Sequence, residues 1–331
     1  MPATGPLVFD SSPRAMVWGG RALAERLDKQ LPDQQAYGEA WEVSDHPRHA
    51  SVSRSGPTRG QSLRTLMECH ASDIVGGNGA ERFPWLLKWL DCHDWLSVQV
   101  HPDAEKVVTL WPGEGAKNEA WFILQTRPGA KVWSGLLPGV TAEQLRETAA
   151  AGTIAECLHA FEPKPGDCLY LSAGTVHAVG GGVLMAEIQQ TSDATFRLFD
   201  WNRKDASGQG RQLHLEESIA CIDWTRGPVN PVRPGNFGRE NDPGSIDRMI
   251  DCPFFHLDHV AGRTPVELPV AATLGAIFAL SGGGTLRGPS RGESIKAGDT
   301  AILPAKGGPW TWVPEAPSSL LLATAPAHPG N

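Results

Sequence analysis

The 331-residue chain carries 29 basic against 37 acidic side chains, a formal net charge of −8, with 40% apolar residues, 37 glycines and 27 prolines. At about 100–200 residues per domain this is one large or two moderate domains, and the abundance of turn formers points to a compact, turn-rich protein poor in helix rather than a fibrous one. No Lys/Arg block that would track a phosphate backbone occurs, so nucleic acid is not an expected partner. No apolar stretch is long enough to span a bilayer: the N-terminus lacks a secretory h-region, and Leu268 to Leu280 is short and broken by Pro, Thr and Gly, so a soluble cytoplasmic protein without membrane association is expected. Six scattered cysteines with no CxxC pair read as reduced, structural thiols.

In chain order, β-rich runs are expected at Trp95 to Val100 and Ala120 to Leu124. A helix follows Thr141, which has capping-box spacing to Gln144 and precedes Leu145, Ala149 and Ala150. Further strands are expected at Cys168 to Leu171, Gly182 to Ile188 and Thr195 to Phe199, and a second helix at Leu213 to Ile222. Strands at Leu274 to Leu280, Thr300 to Leu303 and Ser319 to Ala323 complete the set. Many short strands argue for a mainly β chain of sandwich or jelly-roll type.

An internal repeat organises these runs. Lys164-Pro-Gly-Asp-Cys-Leu-Tyr-Leu-Ser-Ala173 aligns without a gap on Lys296-Ala-Gly-Asp-Thr-Ala-Ile-Leu-Pro-Ala305, each Gly-Asp supplying a turn that leads into a strand. Two related β domains are therefore expected, 1–225 and 226–331, joined near the Pro-, Gly- and Asn-rich stretch at 225–245.

In a strand, residues two apart share a face, so Gln99 and His101 point together while Val98 and Val100 point away. Lys117 and Glu119 share a face in the same way. Downstream of the first repeat copy, Ser172-Ala-Gly-Thr-Val-His177 brings His177 through a Gly-containing turn to the start of a strand. Gln99, His101, Glu119 and His177 together offer two imidazoles, a carboxylate and an amide oxygen, a donor set suited to a borderline divalent metal with positions left for substrate. Gly180 to Gly182 and Gly76 to Gly79 read as close-packed turns rather than nucleotide loops. Trp121, Trp201 and Trp310 read as barrel packing.

The Gly-Asp turn with Gly-x-x-His resembles the second half of the cupin metal motif. Gln99-Val-His101 with Glu119 resembles the first half as class I mannose-6-phosphate isomerases carry it. Gly38-Glu-Ala-Trp-Glu-Val43, Phe83-Pro-Trp-Leu-Leu-Lys88, Lys117-Asn-Glu119 and above all the long segment Gly174 to Trp201 are similar to the same family, over most of residues 15 to 225. The resemblance implies two cupin-like jelly-roll barrels and one divalent ion, usually zinc (Zn2+), on Gln99, His101, Glu119 and His177. It implies interconversion of mannose 6-phosphate and fructose 6-phosphate, a small-molecule sugar phosphate, with Glu39, Lys88, Lys117, Glu187 and Arg197 around the substrate. Catalytic duty then falls to Glu187, desolvated enough to raise its pKa, with Arg197 and Lys117; Lys117 is an alternative base. Substrate contacts fall to Glu39, Lys88 and Arg197, the phosphate being held by Arg197 with Lys88 or Lys117. Glucose 6-phosphate or free mannose as substrate, a non-catalytic sugar-binding cupin, and a metal-dependent dioxygenase are the rival readings. In the second repeat copy the position of His177 is Pro309, so the C-terminal barrel is expected to hold no metal and to pack against the first.

Overall fold

The computed structural model describes residues 4–204 and 208–326. The chain is mainly β and forms two barrels, each made of two facing sheets. In the first, a six-stranded sheet runs in the order Cys168–Leu171, Glu119–Thr126, Val183–Gln190, Trp85–Cys92, Tyr37–Val43, Ser12–Gly20. It faces a five-stranded sheet in the order Leu158–Phe161, Lys131–Leu136, His177–Gly180, Val98–Val100, Phe196–Phe199. The second barrel has a six-stranded sheet, which includes Gly275–Ser281, Ser318–Thr324 and His256–Gly262, over a four-stranded one that includes Trp310–Pro314.

The two six-stranded sheets lie back to back, and this explains why their strands read as unbroken apolar runs rather than alternating ones. Along Gly275–Ser281, Ile277 and Ala279 fill the second barrel while Ala276 and Phe278 face the first. Leu320 and Leu322 point inward in the same way, and Leu321 and Ala323 outward. From the first barrel come Trp85, Leu87, Trp89, Ala120 and Phe122. Trp89 stacks edge-on against Phe278 at 5.0 Å and donates its indole N–H to Gly298 O at 2.9 Å. The shared layer contains the largest of the hydrophobic clusters.

Both repeat copies fold alike. In each, the backbone N–H of the leading lysine donates to the aspartate carboxylate, Lys164 to Asp167 at 2.8 Å and Lys296 to Asp299 at 2.9 Å, closing an Asx-type turn. The intervening glycines take φ of +90° and +88°, and strands Cys168–Leu171 and Thr300–Leu303 follow. Each aspartate also accepts from an arginine at 2.7 Å, Arg233 in one copy and Arg54 in the other.

The expected helices form at Ala142–Ala151, with the complete Thr141/Gln144 capping box, and at Leu215–Cys221. A longer helix, Leu63–Val75, was not legible as a periodic stripe. Ser62 caps it by accepting from the Thr65 N–H, and it buries Leu63, Leu66, Met67 and Ile74 in the shared layer. A division at residue 225 also misses a crossover: Leu7–Val8, from the start of the chain, pairs with Thr300–Leu303 and completes the edge of the second barrel. Among the described residues no helix is long and apolar enough to cross a membrane.

Candidate active site and metal centre

The first barrel turns alternate residues of its strands to its interior. Val98 and Val100 pack outward under the helices with Leu145 and Phe196, which leaves Gln99 facing in. His177 lies opposite Gln99 in the ladder. The turn before His177 is fixed by Gly174, whose φ is +82° and whose missing Cβ leaves room for Asp223, 2.8 Å from where that atom would stand. The N–H of Gly174 donates to His101 O at 2.8 Å and ties the turn to the His101 segment.

His101, Glu119 and His177 are buried, and their ligating atoms all lie within 4.8 Å of one another. The Nδ1 atoms of both histidines face carbonyl oxygens, that of Ala194 at 2.8 Å and that of Thr175 at 2.9 Å. A carbonyl only accepts, so each Nδ1 carries the hydrogen and each Nε2 presents a lone pair toward Glu119. These contacts measure 3.3 Å from His101 and 3.2 Å from His177. Burial and then the Lys117 ammonium push His101 down to about 3, so it is neutral. Burial opposes charge on Glu119 as well, but the Lys117 ammonium holds its carboxyl well below the usual range. Neither oxygen of this carboxylate accepts a well-formed hydrogen bond, although Lys117 Nζ approaches to 3.0 Å. Three electron-pair donors, two imidazoles and a carboxylate that accepts no well-formed hydrogen bond, thus converge in a buried spot, which fits a divalent cation. Gln99 is placed differently from expectation: its amide nitrogen lies 3.2 Å from His177 Nε2, and its oxygen accepts from Ser97 Oγ at 3.3 Å. Reversing the amide presents the oxygen to the cluster.

Beside this cluster opens a cavity of about 230 Å³ whose walls include Gln99, Lys117, Glu39, Lys88, Glu187 and Arg197. All five residues expected around the substrate therefore share it. Trp41, Lys88, Glu187 and Trp121 form one cross-strand row. Lys88 Nζ is 3.0 Å from Glu187, donates to Gln189 Oε1 at 2.7 Å and stands 4.0 Å from Glu39. Burial draws its pKa down, yet the Glu187 and Glu39 carboxylates win and hold it above the usual range. Trp121 donates its indole N–H to Glu187 Oε2 at 2.9 Å, and Trp41 does the same to Glu39 at 2.7 Å.

The family model for the catalytic domain of type I phosphomannose isomerases matches residues 7–120. The mannose-6-phosphate isomerase ManA of Bacillus subtilis is 34% identical over 303 residues, 91% of this chain and 93% of that protein. The chain belongs to the type I phosphomannose isomerase family. The mannose-6-phosphate isomerase of Streptococcus mutans is 32% identical over 299 residues, 90% of this chain and 92% of that one. The crystal structure of the Bacillus subtilis mannose 6-phosphate isomerase superposes with a TM-score of 0.84 at 28% identity, covering 96% of this chain and 99% of that one. A zinc-bound mannose 6-phosphate isomerase shares the fold, with a TM-score of 0.77 at 16% identity, covering 98% of this chain and 100% of that one.

Several residues of the cavity wall carry no functional motif in the sequence. Trp121 does more than fill the barrel: its indole N–H is also a hydrogen-bond donor to Glu187. Arg14, Arg48 and Arg211 line the cavity without a motif to mark them. The available signal was register: Arg14 lies directly opposite Glu39 and therefore shares its face.

Proposed function

We propose that this protein is a metal-dependent aldose–ketose isomerase that interconverts mannose 6-phosphate and fructose 6-phosphate. The observation that carries this reading is the meeting of the His101, Glu119 and His177 donor atoms within 4.8 Å beside a cavity walled by charged groups. His101, Glu119 and His177, with Gln99 once its amide is reversed, are the residues that would hold the ion. Zinc is the expected metal, given two imidazoles and a carboxylate and the zinc-bound structure that shares the fold. When bound there, a divalent cation supplies Lewis-acid polarisation of the sugar carbonyl and of the enediolate oxygens.

This chain's residues do the rest. Glu187 takes the proton from C2 of the open-chain aldose, leaving a cis-enediolate, and returns it to C1; the hydroxyl proton moves from O2 to O1. Trp121 and Lys88 fix the Glu187 carboxylate from two sides, which sets its direction toward the sugar. Lys117, 3.1 Å from His101 Nε2, sits where it can serve the oxygen-to-oxygen proton transfer. Arg197 lies opposite Gln99 in the ladder and adds positive charge beside the developing oxyanion. Glu39 is held by Trp41 and shapes the far wall for the sugar hydroxyls.

Metal analysis of the purified protein, with a coupled assay on mannose 6-phosphate, glucose 6-phosphate and free mannose before and after chelation, tests this. Metal-dependent turnover of mannose 6-phosphate well above the other two is expected. Full activity after complete chelation, or equal rates on free mannose, would reassign the reaction.

A further inference from the structure

We propose that Arg14, Arg197 and Arg211 form the seat for the substrate's phosphate group; this rests on the sugar-phosphate reading of the cavity. The family resemblance implies a phosphate on Arg197 together with Lys88 or Lys117, but Lys88 is taken up by carboxylates and Lys117 stands among the metal donors at the reacting end of the cavity. Lys88 is already held by Glu187 at 3.0 Å and Gln189 at 2.7 Å, and Lys117 by Glu119 at 3.0 Å and His101 at 3.1 Å. Arg48 is engaged too, with Asp193 at 2.9 Å and Glu114 at 3.4 Å.

Arg14 and Arg197 are different. Among the described residues no carboxylate comes within ion-pair distance of either, and the Nε of each is buried with no hydrogen-bond partner. A buried guanidinium N–H left unpaired is costly, and an anion between two such groups removes the cost. Arg14 stands over Trp41, its Cζ 4.5 Å from the ring centroid, and both side chains line the cavity. Among the described residues the one carboxylate near Arg211 is that of Asp200, at 3.6 Å, and it is also hydrogen-bonded by Arg203. The loop bearing Arg211 is pinned beside Arg197, whose carbonyl accepts the His214 N–H at 2.8 Å. Two cations are therefore crowded together: after burial, Arg211 is the main influence that depresses Arg197. A phosphate dianion relieves this crowding, and guanidinium forks match its oxygens.

Placement agrees with the shape of the substrate. In a hexose 6-phosphate, C3, C4 and C5 separate the reacting carbons from the phosphate-bearing C6. Arg14 stands over Trp41, whose ring centroid lies 5.4 Å from Lys88 Nζ, and that ammonium is 3.0 Å from Glu187, so Arg14 sits along the cavity wall from the base rather than against it.

The test uses metal-loaded protein and two probes, inorganic phosphate and mannose 6-phosphate, with Arg14→Gln, Arg14→Lys and Arg211→Gln. The Gln variants are expected to weaken competitive inhibition by phosphate about tenfold or more, raise KM for mannose 6-phosphate by a similar factor and leave kcat within a few-fold; Arg14→Lys recovers part of the loss. The melting-temperature rise that phosphate produces in the wild type should shrink in the same variants. Unchanged phosphate inhibition and KM in both Gln variants, or no phosphate-induced rise in the wild type, would overturn the seat. A wild type that binds phosphate and loses it in these variants but does not isomerise mannose 6-phosphate would keep the seat and remove the sugar assignment.

Discussion

Acid should loosen this protein at the contact between its two barrels, through His259. That residue is fully buried on the strand His256–Gly262, its ring stacked on Phe122 of the first barrel at 5.7 Å. Its Nδ1 is 2.7 Å from Asn236 Oδ1, and its Nε2 has no hydrogen-bond partner. Burial drives its pKa from 6.5 to about 4, against a smaller opposing pull from Asp247. Between these two values the unfolded chain binds the proton and the folded chain does not, so stability falls as pH drops from about 6.5 toward 4 and levels off below. The interval corresponds to about 3 kcal/mol. Urea unfolding followed by tryptophan fluorescence at pH 7 and pH 4.5 measures the loss, and His259→Phe isolates the histidine. The Phe variant should be about 1–3 kcal/mol weaker at pH 7, because Asn236 Oδ1 loses its partner. It should then lose markedly less stability than the wild type on acidification. Parallel losses in the two proteins would refute the assignment of this acid sensitivity to His259.

His177→Ala should reduce bound divalent metal on chelator titration by at least about a hundredfold in affinity, with isomerase activity falling in step. Glu187→Gln is expected to lower kcat about 10²–10⁴-fold while KM stays close to wild type, with some loss of melting temperature because the buried Lys88 ammonium loses its nearest carboxylate; a normal kcat would move the base to another residue, Lys117 first. Gly298→Ala places a Cβ 2.5 Å from Leu27 O at a backbone φ of +88°, and should cost about 1–3 kcal/mol in thermal unfolding. Gly139→Ala, at φ +83° but in open space, should cost less than Gly298→Ala in the same measurement.

Much of the site could be read before any coordinates, because period-two alternation places residues on faces. Gln99 and Val98/Val100 separate as the strand rule requires, and the Gly-Asp repeat folds into the same turn twice. Trp85–Cys92 carried no such signal. All eight of its residues are buried, since one face lines the catalytic barrel and the other packs the second barrel. A strand covered on both sides loses the polar alternation that marks it. The helix Leu63–Val75 escaped for a related reason: its N-cap is plain, but its apolar stripe is diluted by polar residues.

Local chemistry fixed which donors were available: two imidazoles, an amide and a carboxylate at strand spacings, and a Gly-turn to deliver one of them. It also fixed the twin hairpins, since glycine and aspartate impose them through neighbours alone. Which cations remain unpaired was decided by tertiary structure. Lys88 meets Glu187 while Arg14 and Arg197 meet no carboxylate, because such pairings join strands far apart in the chain and only the closed barrel sets the distances between them, whereas Lys117 finds Glu119 two residues along its own segment.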